Sequence, residues 1–205
     1  MTATKVDLKR ELGTLYAPGH DPVLVDVPEF PFLMIDGHGD PNTSPLYAEA
    51  VQAVYQVAYT LKFTIKRSEE GIDFAVMPLE GLWWMPDMRT FSAEDKSQWD
   101  WTMMIRQPEM VTPEMVSRAK DAVAAKHPSE AVARVRLEHF AEGEAAQVLY
   151  VGPYADEGPT IQHLHEFIER EHLTLRGKHH EIYLGDPRRA APEKLKTIIR
   201  QPVER

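Results

Sequence analysis

Two stretches of the chain, Thr102-Met103-Met104-Ile105-Arg106-Gln107-Pro108 and Thr197-Ile198-Ile199-Arg200-Gln201-Pro202, end in the same four residues. Each Ile-Arg-Gln-Pro follows a short apolar run. Four matching residues can coincide by chance, so the flanking sequence must repeat as well. Upstream of both lie strand-like residues, a turn with glycine and proline, and an apolar pattern in helical spacing, in the same order. This order predicts a duplicated fold with copies at about residues 21–108 and 130–202.

The elements of the two copies follow from periodicity and turn residues. In the first copy, the pattern predicts one or two strands over 23–35, a helix over about 46–62, and strands over 72–77 and 99–105. In the second copy, it predicts an antiparallel hairpin of 132–140 with 146–151, a helix over 160–173, and a strand over 179–184 before the final repeat. A helix over about 113–126 links the copies.

Together these elements predict an α+β fold. Each copy reads as a β-β-α-β-β unit, and the two units give a mostly antiparallel sheet with helices packed on one face. We expect one domain over residues 1–205. In such duplicated folds the junction between the copies is a natural place for a ligand pocket.

Composition narrows the classes of function. The formal net charge of −9 argues against direct binding of nucleic acid, which requires clustered Lys and Arg. Apolar runs are shorter than a membrane helix requires, and the N-terminus lacks the features of a secretory signal, so we expect a cytoplasmic protein. The absence of cysteine excludes disulfides and thiolate chemistry.

Glu181 is the strongest candidate for chemistry. In an alternating strand, Glu181 and Tyr183 point to one face while Ile182 and Leu184 point to the other. A carboxylate beside a phenol can act as an acid–base pair or as the counter-charge of a cationic ligand. The alternative is a solvated glutamate at a strand end, and the spacing alone leaves both interpretations open.

All four tryptophans lie within about twenty residues of sequence and are flanked by methionines. Aromatic walls favour planar or cationic ligands through stacking and cation–π attraction, whereas the alternative is an ordinary hydrophobic core. Of the adjacent pair, one tryptophan at most can face inward. The residues expected to line a ligand site are Trp83, Trp84, Trp101, Tyr47, Tyr150 and Met103.

The histidines do not predict a metal site. Adjacent strand residues point to opposite faces, so His179 and His180 make a poor chelate. Glycine-rich phosphate loops and the Gly-x-Ser-x-Gly nucleophile motif are missing from the sequence. We therefore predict neither a metal nor a cofactor.

Two segments carry a resemblance to a known family. Pro78-Leu79-Glu80-Gly81-Leu82-Trp83-Trp84 and His179-His180-Glu181-Ile182-Tyr183-Leu184, the latter followed by Asp186-Pro187-Arg188-Arg189, resemble the GyrI-like small-molecule-binding family, whose effector-binding fold is of the SHS2-like type. The resemblance implies a pocket with aromatic side chains and a central glutamate, where the copies meet. Glu181 matches that glutamate by position.

The motifs look closest to a stand-alone branch that includes hydrolases of cyclopropanoid, DNA-alkylating natural products. This implies that Glu181 assists the attack of water on the strained ring, that Tyr183 orients it, and that Trp83 or Trp84 with Trp101 forms the walls. The chain shows no helix-turn-helix region of the regulator members of the family.

Three functions follow from these observations. The first is a pocket protein that binds planar or amphipathic organic molecules and hydrolyses an electrophilic one. The second is a non-catalytic module that sequesters or senses such molecules. The third is a gyrase-modulating interaction protein, which no feature of the sequence favours. A monomer and a homodimer are both compatible with the sequence.

Overall fold

The computed structural model describes residues 4–69, 71–88 and 95–205. The predicted α+β class is confirmed. The strands are β1 (Thr4–Val6), β2 (Val23–Val27), β3 (Phe30–His38), β4 (Ile72–Phe74), β5 (Leu79–Trp84), β6 (Asp100–Arg106), β7 (Arg136–Phe140), β8 (Gly143–Val151), β9 (Thr174–Leu175), β10 (His179–Tyr183) and β11 (Lys196–Glu204). The helices are α1 (Leu8–Glu11), α2 (Pro45–Arg67), α3 (Pro113–Ala124), α4 (Glu130–Arg134) and α5 (Gly158–Arg170). None of these helices combines the length and the apolar character that crossing a membrane requires.

The chain divides into two compact units, and unit 1 comprises the described residues of 1–11, 30–77 and 84–140. Its antiparallel strands follow the order β6-β3-β7, and β1 pairs with β4 in parallel. Helix α2 begins with Pro45 at its first position, where proline is preorganised for a helix. Its apolar side packs against β3 and β6, and α3 and α4 pack beside it.

Unit 2 comprises residues 12–29, 78–83 and 141–205. Its antiparallel strands follow the order β2-β8-β11-β10-β5, and β9 pairs with the end of β11. Leu164 and Ile168 of α5 pack on Val148 of β8 and Ile199 of β11. Helix α5 therefore covers part of one face of this five-stranded order.

The predicted hairpin between 132–140 and 146–151 is wrong. β7 pairs with β3, whereas β8 pairs with β2 and β11. The connection between β7 and β8 would leave Glu142 in solvent if it closed a hairpin, but Glu142 is 3% exposed and hydrogen-bonded inside unit 2. Gly143, with φ of 72°, provides the left-handed conformation that redirects the chain at this point.

The beginning of the predicted strand over 132–140 is helix α4. Ala131 and Ala133 are strong helix formers, and Glu130 lies in the first turn, where the helix dipole favours negative charge. The alternation of polar and apolar residues that marks a strand begins only at Val135. β7 lies in the predicted second copy but belongs to unit 1, whereas β2 lies in the predicted first copy but belongs to unit 2. Each unit therefore contains an outer strand from the other predicted copy.

Candidate functional site

Strand β10 presents two different sets of side chains on its two faces. Tyr183 donates a hydrogen bond from its hydroxyl to Oε2 of Glu181 at 2.8 Å, so the two side chains share a face as predicted. Nε2 of His179 lies 3.1 Å from Oε1 of the same carboxylate. We call the side of the unit 2 sheet that carries His179, Glu181 and Tyr183 the Glu181 face. His180 and Ile182 point to the opposite face.

Trp83 extends the hydrogen-bond chain on the Glu181 face. In the register of β5 with β10, Trp83 lies opposite His179, and its indole Nε1 donates to the hydroxyl of Tyr183 at 3.1 Å. Because an indole N–H only donates, the Tyr183 oxygen accepts here and directs its own proton to Glu181. The position directly opposite Glu181 is Gly81, which adds no side chain beside the carboxylate.

Glu181 is anchored and still reachable. Its side chain keeps 13% of its surface exposed, compared with 7% for His179. Each carboxylate oxygen has two lone pairs, and the bonds to Tyr183 and His179 use one on each oxygen. Because the carboxylate is still partly exposed, a water molecule or a donor on a ligand can reach it.

The sequence did not single out Tyr154 as a site residue. Its ring packs edge-on against the ring of Tyr183, with centroids 5.5 Å apart and an interplanar angle of 74°. Tyr154 is 37% exposed and follows the Gly152-Pro153 turn. An exposed aromatic residue directly after a turn was the available signal, but only the fold shows that it reaches Tyr183.

Tyr150 lies on the Glu181 face two strands away from Tyr183. Both residues pair in register with Thr197 of β11, one from each side, so their backbones are about 10 Å apart. The Tyr150 hydroxyl donates to the Pro153 carbonyl at 2.9 Å, while burial and the charges of Asp156 and Glu157 raise its pKa. Tyr150 also lines a groove of about 320 Å³ together with His20, Leu149, Val151, Pro159, Thr160 and His163.

The other predicted site residues belong to unit 1. Trp101 and Met103 on β6 are 0% exposed, and Tyr47 of α2 packs edge-on against Trp101 at 5.3 Å. The Trp101 indole donates to the Gly39 carbonyl at 3.1 Å. Trp84 is partly exposed. Trp101 and Met103 form part of the unit 1 core in this conformation, and the ligand-binding role of these four residues stays a prediction.

A buried ionic cluster, which the sequence did not predict, lies on the opposite face of β10. His180 contacts Glu80 through Nε2 at 3.0 Å and Glu142 through Nδ1 at 2.9 Å. Arg200 donates to Glu142 at 3.1 Å, and the Tyr16 hydroxyl donates to Glu80 at 2.6 Å. When His180 is protonated, it and Arg200 carry two positive charges that balance the two negative charges of the glutamates. Buried charges require such compensation.

The cluster changes the protonation of its members. Burial disfavours the charged form of His180, but the neighbouring carboxylates of Glu142 and Glu80 outweigh it and raise the pKa of His180 to about 9. Burial likewise opposes ionisation of Glu142, but His180 and Arg200 lower the pKa of Glu142 to about 2. Both groups are therefore charged at neutral pH.

The two adjacent histidines have separate partners on separate faces, as the alternation predicts. Within the residues that the structure describes, no group of three or more His, Asp or Glu side chains could hold a metal ion. Burial and the nearby His179 lower the pKa of His165 on α5. Helix α5 thus approaches the Glu181 face near His179.

The family follows from a match over nearly the whole chain. The model of the GyrI-like small molecule binding domain matches residues 20–204. The chain belongs to the GyrI-like family. Among proteins with curated descriptions, none matches this GyrI-like chain.

Solved structures from Listeria innocua are similar to this GyrI-like protein along almost its full length. An uncharacterized conserved protein is 44% identical, with a TM-score of 0.90, and the match covers 97% of this chain and 100% of the other. A hydrolase is 44% identical, with a TM-score of 0.87 and coverage of 98% and 100%. A further hydrolase structure is 41% identical, with a TM-score of 0.85 and coverage of 97% and 100%.

Proposed function

We propose that this GyrI-like protein binds planar or amphipathic organic molecules at the Glu181 face and hydrolyses cyclopropanoid, DNA-alkylating compounds among them. The observation that carries the proposal is the carboxylate of Glu181, which contacts side chains at both oxygens and is still partly exposed beside aromatic rings. Similarity to the Listeria hydrolases supports hydrolysis, and the resemblance of the sequence motifs supports the substrate class.

The proposed reaction adds one water molecule across a carbon–carbon bond of the strained ring. Glu181 accepts a proton from water while the water oxygen bonds to a ring carbon. The ring bond breaks, and its electron pair passes into the electron-withdrawing group that is conjugated to the ring. That group takes up a proton, so the product equals the substrate plus water, and the proton on Glu181 returns to solvent.

Aromatic side chains near Glu181 supply the recognition of a planar substrate. The exposed ring of Tyr154 packs against Tyr183, and Tyr183 in turn contacts both Trp83 and Glu181. Each stacked or edge-on aromatic contact with a ligand contributes roughly 0.5 to 1.5 kcal/mol beyond the area buried. A contact from Tyr150, which lies on the same face, is a further prediction of this proposal. For Trp84, Trp101, Tyr47 and Met103, ligand binding stays a prediction of the sequence alone.

The test is turnover of a cyclopropanoid alkylator, with the ring-opened product followed by mass spectrometry. We expect Glu181→Gln to bind the compound but to lose activity by about 10²- to 10⁴-fold, the usual contribution of a general base. Glu166→Gln is a matched control, because Glu166 is an exposed residue of α5 that contacts Gln162. Equal rates for the wild type and Glu181→Gln would contradict the assignment of the base.

The second candidate is a non-catalytic module that sequesters or senses the same molecules. The family description, a small-molecule-binding domain, favours it because binding is all that this description states. The same assay separates the two candidates. If the wild-type protein binds the compound tightly and forms no product, the binding module is the correct function.

A further inference from the structure

We propose that His179 is a positioning residue that holds Oε1 of Glu181, so that the carboxylate is fixed from both of its oxygens for the attack of water. The inference rests on the proposed hydrolysis and assigns to it a residue that the sequence motifs had marked only as a poor metal ligand.

The two oxygens of the Glu181 carboxylate contact different side chains. Tyr183 donates to Oε2 at 2.8 Å from the position two residues after Glu181. His179 meets Oε1 at 3.1 Å from the position two residues before it. A carboxylate with one partner can rotate about its last torsion, whereas one held on both sides keeps a single orientation. The strand period of two places both partners on the correct side of Glu181.

The His179 ring has little freedom to move away. Its side chain is 7% exposed, and its own strand is paired on both sides, with β5 and with β11. Helix α5 brings His165 close enough for the charge of His179 to lower the pKa of His165. Because the ring is already enclosed, it loses little conformational entropy when it holds the Glu181 carboxylate in place. Effective sites rely on supporting side chains that are fixed in this way.

The chemistry requires a donor at Nε2. An ionised carboxylate only accepts hydrogen bonds, so the contact is favourable when Nε2 of His179 carries a proton, in the neutral ring or in the imidazolium. In the neutral ring, this contact therefore assigns the proton to Nε2. A glutamine at position 179 places an amide N–H near the position of Nε2, an asparagine is too short to reach Oε1, and a leucine offers no donor.

These three replacements test the proposal through kcat and KM for the cyclopropanoid alkylator. We expect His179→Leu and His179→Asn to lower kcat by about 10- to 100-fold with KM changed by less than about threefold, because a misplaced base slows chemistry more than binding. His179→Gln should recover kcat to within about threefold of the wild type. If His179→Leu does not fold, the comparison of Asn with Gln carries the same test. His127→Leu, at an exposed histidine of unit 1, is the control.

Equal kcat values for the wild type and His179→Asn, or an equal loss in Gln and Asn, would overturn the positioning role. The wild-type rate reports on the proposed function by itself, so the failure of one claim is distinguishable from that of the other. A crystal structure of His179→Asn gives a readout without turnover. We expect the Glu181 carboxylate to rotate away from its orientation in the wild type, and an unchanged carboxylate would also overturn the proposal.

Discussion

The hydroxyl of Tyr183 accepts a hydrogen bond from the Trp83 indole and donates one to the Glu181 carboxylate. Removing the hydroxyl in Tyr183→Phe leaves Oε2 of Glu181 without this donor and the Trp83 indole without this acceptor. We expect kcat to fall by about 10- to 100-fold, since the base loses its orientation. Unfolding free energy should fall by about 1 to 2 kcal/mol, the cost of leaving a buried donor without its partner.

Steady-state kinetics and urea unfolding measure the two effects. Tyr59→Phe is the matched control, because Tyr59 is 47% exposed on α2 and its ring stacks on Tyr55. If Tyr183→Phe kept the kcat of the wild type, the hydroxyl would have no part in orienting Glu181.

Gly37 shows how closely the backbone of β3 approaches Trp101. A Cβ at this position would lie 2.0 to 2.5 Å from three atoms of the Trp101 ring, which is fully buried and cannot move aside. We expect Gly37→Ala to lower the unfolding free energy by about 3 kcal/mol, as overpacked cores do. Gly158→Ala should change it little, because a Cβ there meets nothing within 4 Å. A Gly37→Ala protein as stable as the wild type would show that Trp101 is not packed in this way.

Strand β10 is held by the buried ionic cluster on one face and carries the candidate base on the other. Replacing one member of such a cluster leaves the remaining charges buried without compensation, which is strongly destabilising. The partners of His180 come from β5, from the β7–β8 connection and, through Glu142, from β11. We infer that the cluster specifies the position of β10 in the strand order. It thereby fixes the backbone that carries Glu181 on the other face.

The pH dependence of stability follows from the same cluster. The pKa of His180 is raised from 6.5 to about 9, so its contribution is complete below pH 6.5 and is lost as the pH rises through about 9. The pKa of Glu142 is lowered from 4.5 to about 2, so its contribution is complete above pH 4.5 and is lost as the pH falls toward 2. Stability should be greatest between these limits.

Urea unfolding between pH 3 and pH 10 measures this dependence. We expect the alkaline loss to be on the order of 3 kcal/mol for the His180–Glu142 pair as a whole. The imidazole resonances of His180 should titrate well above pH 6.5 in NMR spectra. A midpoint near 6.5, or equal unfolding free energies at pH 7 and pH 10, would contradict the charge balance of the cluster.

Alternation along β10 was enough to predict that Glu181 and Tyr183 share a face, because the strand period of two is a local property. Partners from distant strands were not predictable. Glu80 lies 100 residues and Glu142 lies 38 residues from His180, and only the strand register brings them together. The short loop before β8 has the sequence of a hairpin turn, and nothing in its local pattern indicates that Glu142 is buried.

The duplicated Ile-Arg-Gln-Pro marks corresponding places in the two copies whose arginines have different contacts. Arg200 is buried and donates to Glu142, Gln147 and the Leu15 carbonyl. Arg106 is also buried, but it lies 3.9 Å above the Phe30 ring and 3.7 Å from Glu109. The repeat predicted two strands followed by a helix in each copy, but it predicted two strands after each helix where the structure has three, because β5 and β9 were missed. The divergence of the contacts of the two copies was not predictable, because it depends on residues outside the repeat.

The strand order predicts that the second copy does not fold by itself. A fragment of residues 128–205 lacks β2 and β5, which are the outer strands of the unit 2 order, and it lacks Glu80 of the ionic cluster. The fragment would expose the unpaired edges of β8 and β10. His180 would keep the carboxylate of Glu142 but lose that of Glu80. We expect no cooperative unfolding transition by circular dichroism and poorly dispersed NMR spectra. A cooperative transition for this fragment would contradict the account of unit 2.

Single-turnover reaction of a bound cyclopropanoid alkylator in ¹⁸O-labelled water, with wild type and Glu181→Gln compared at equal occupancy, tests whether Glu181 is the base. We expect the wild-type product to gain one labelled oxygen. We expect Glu181→Gln, with an unchanged dissociation constant, to form this product at least about 100-fold more slowly. Labelled product at the same rate from both proteins would contradict the claim that Glu181 is the base.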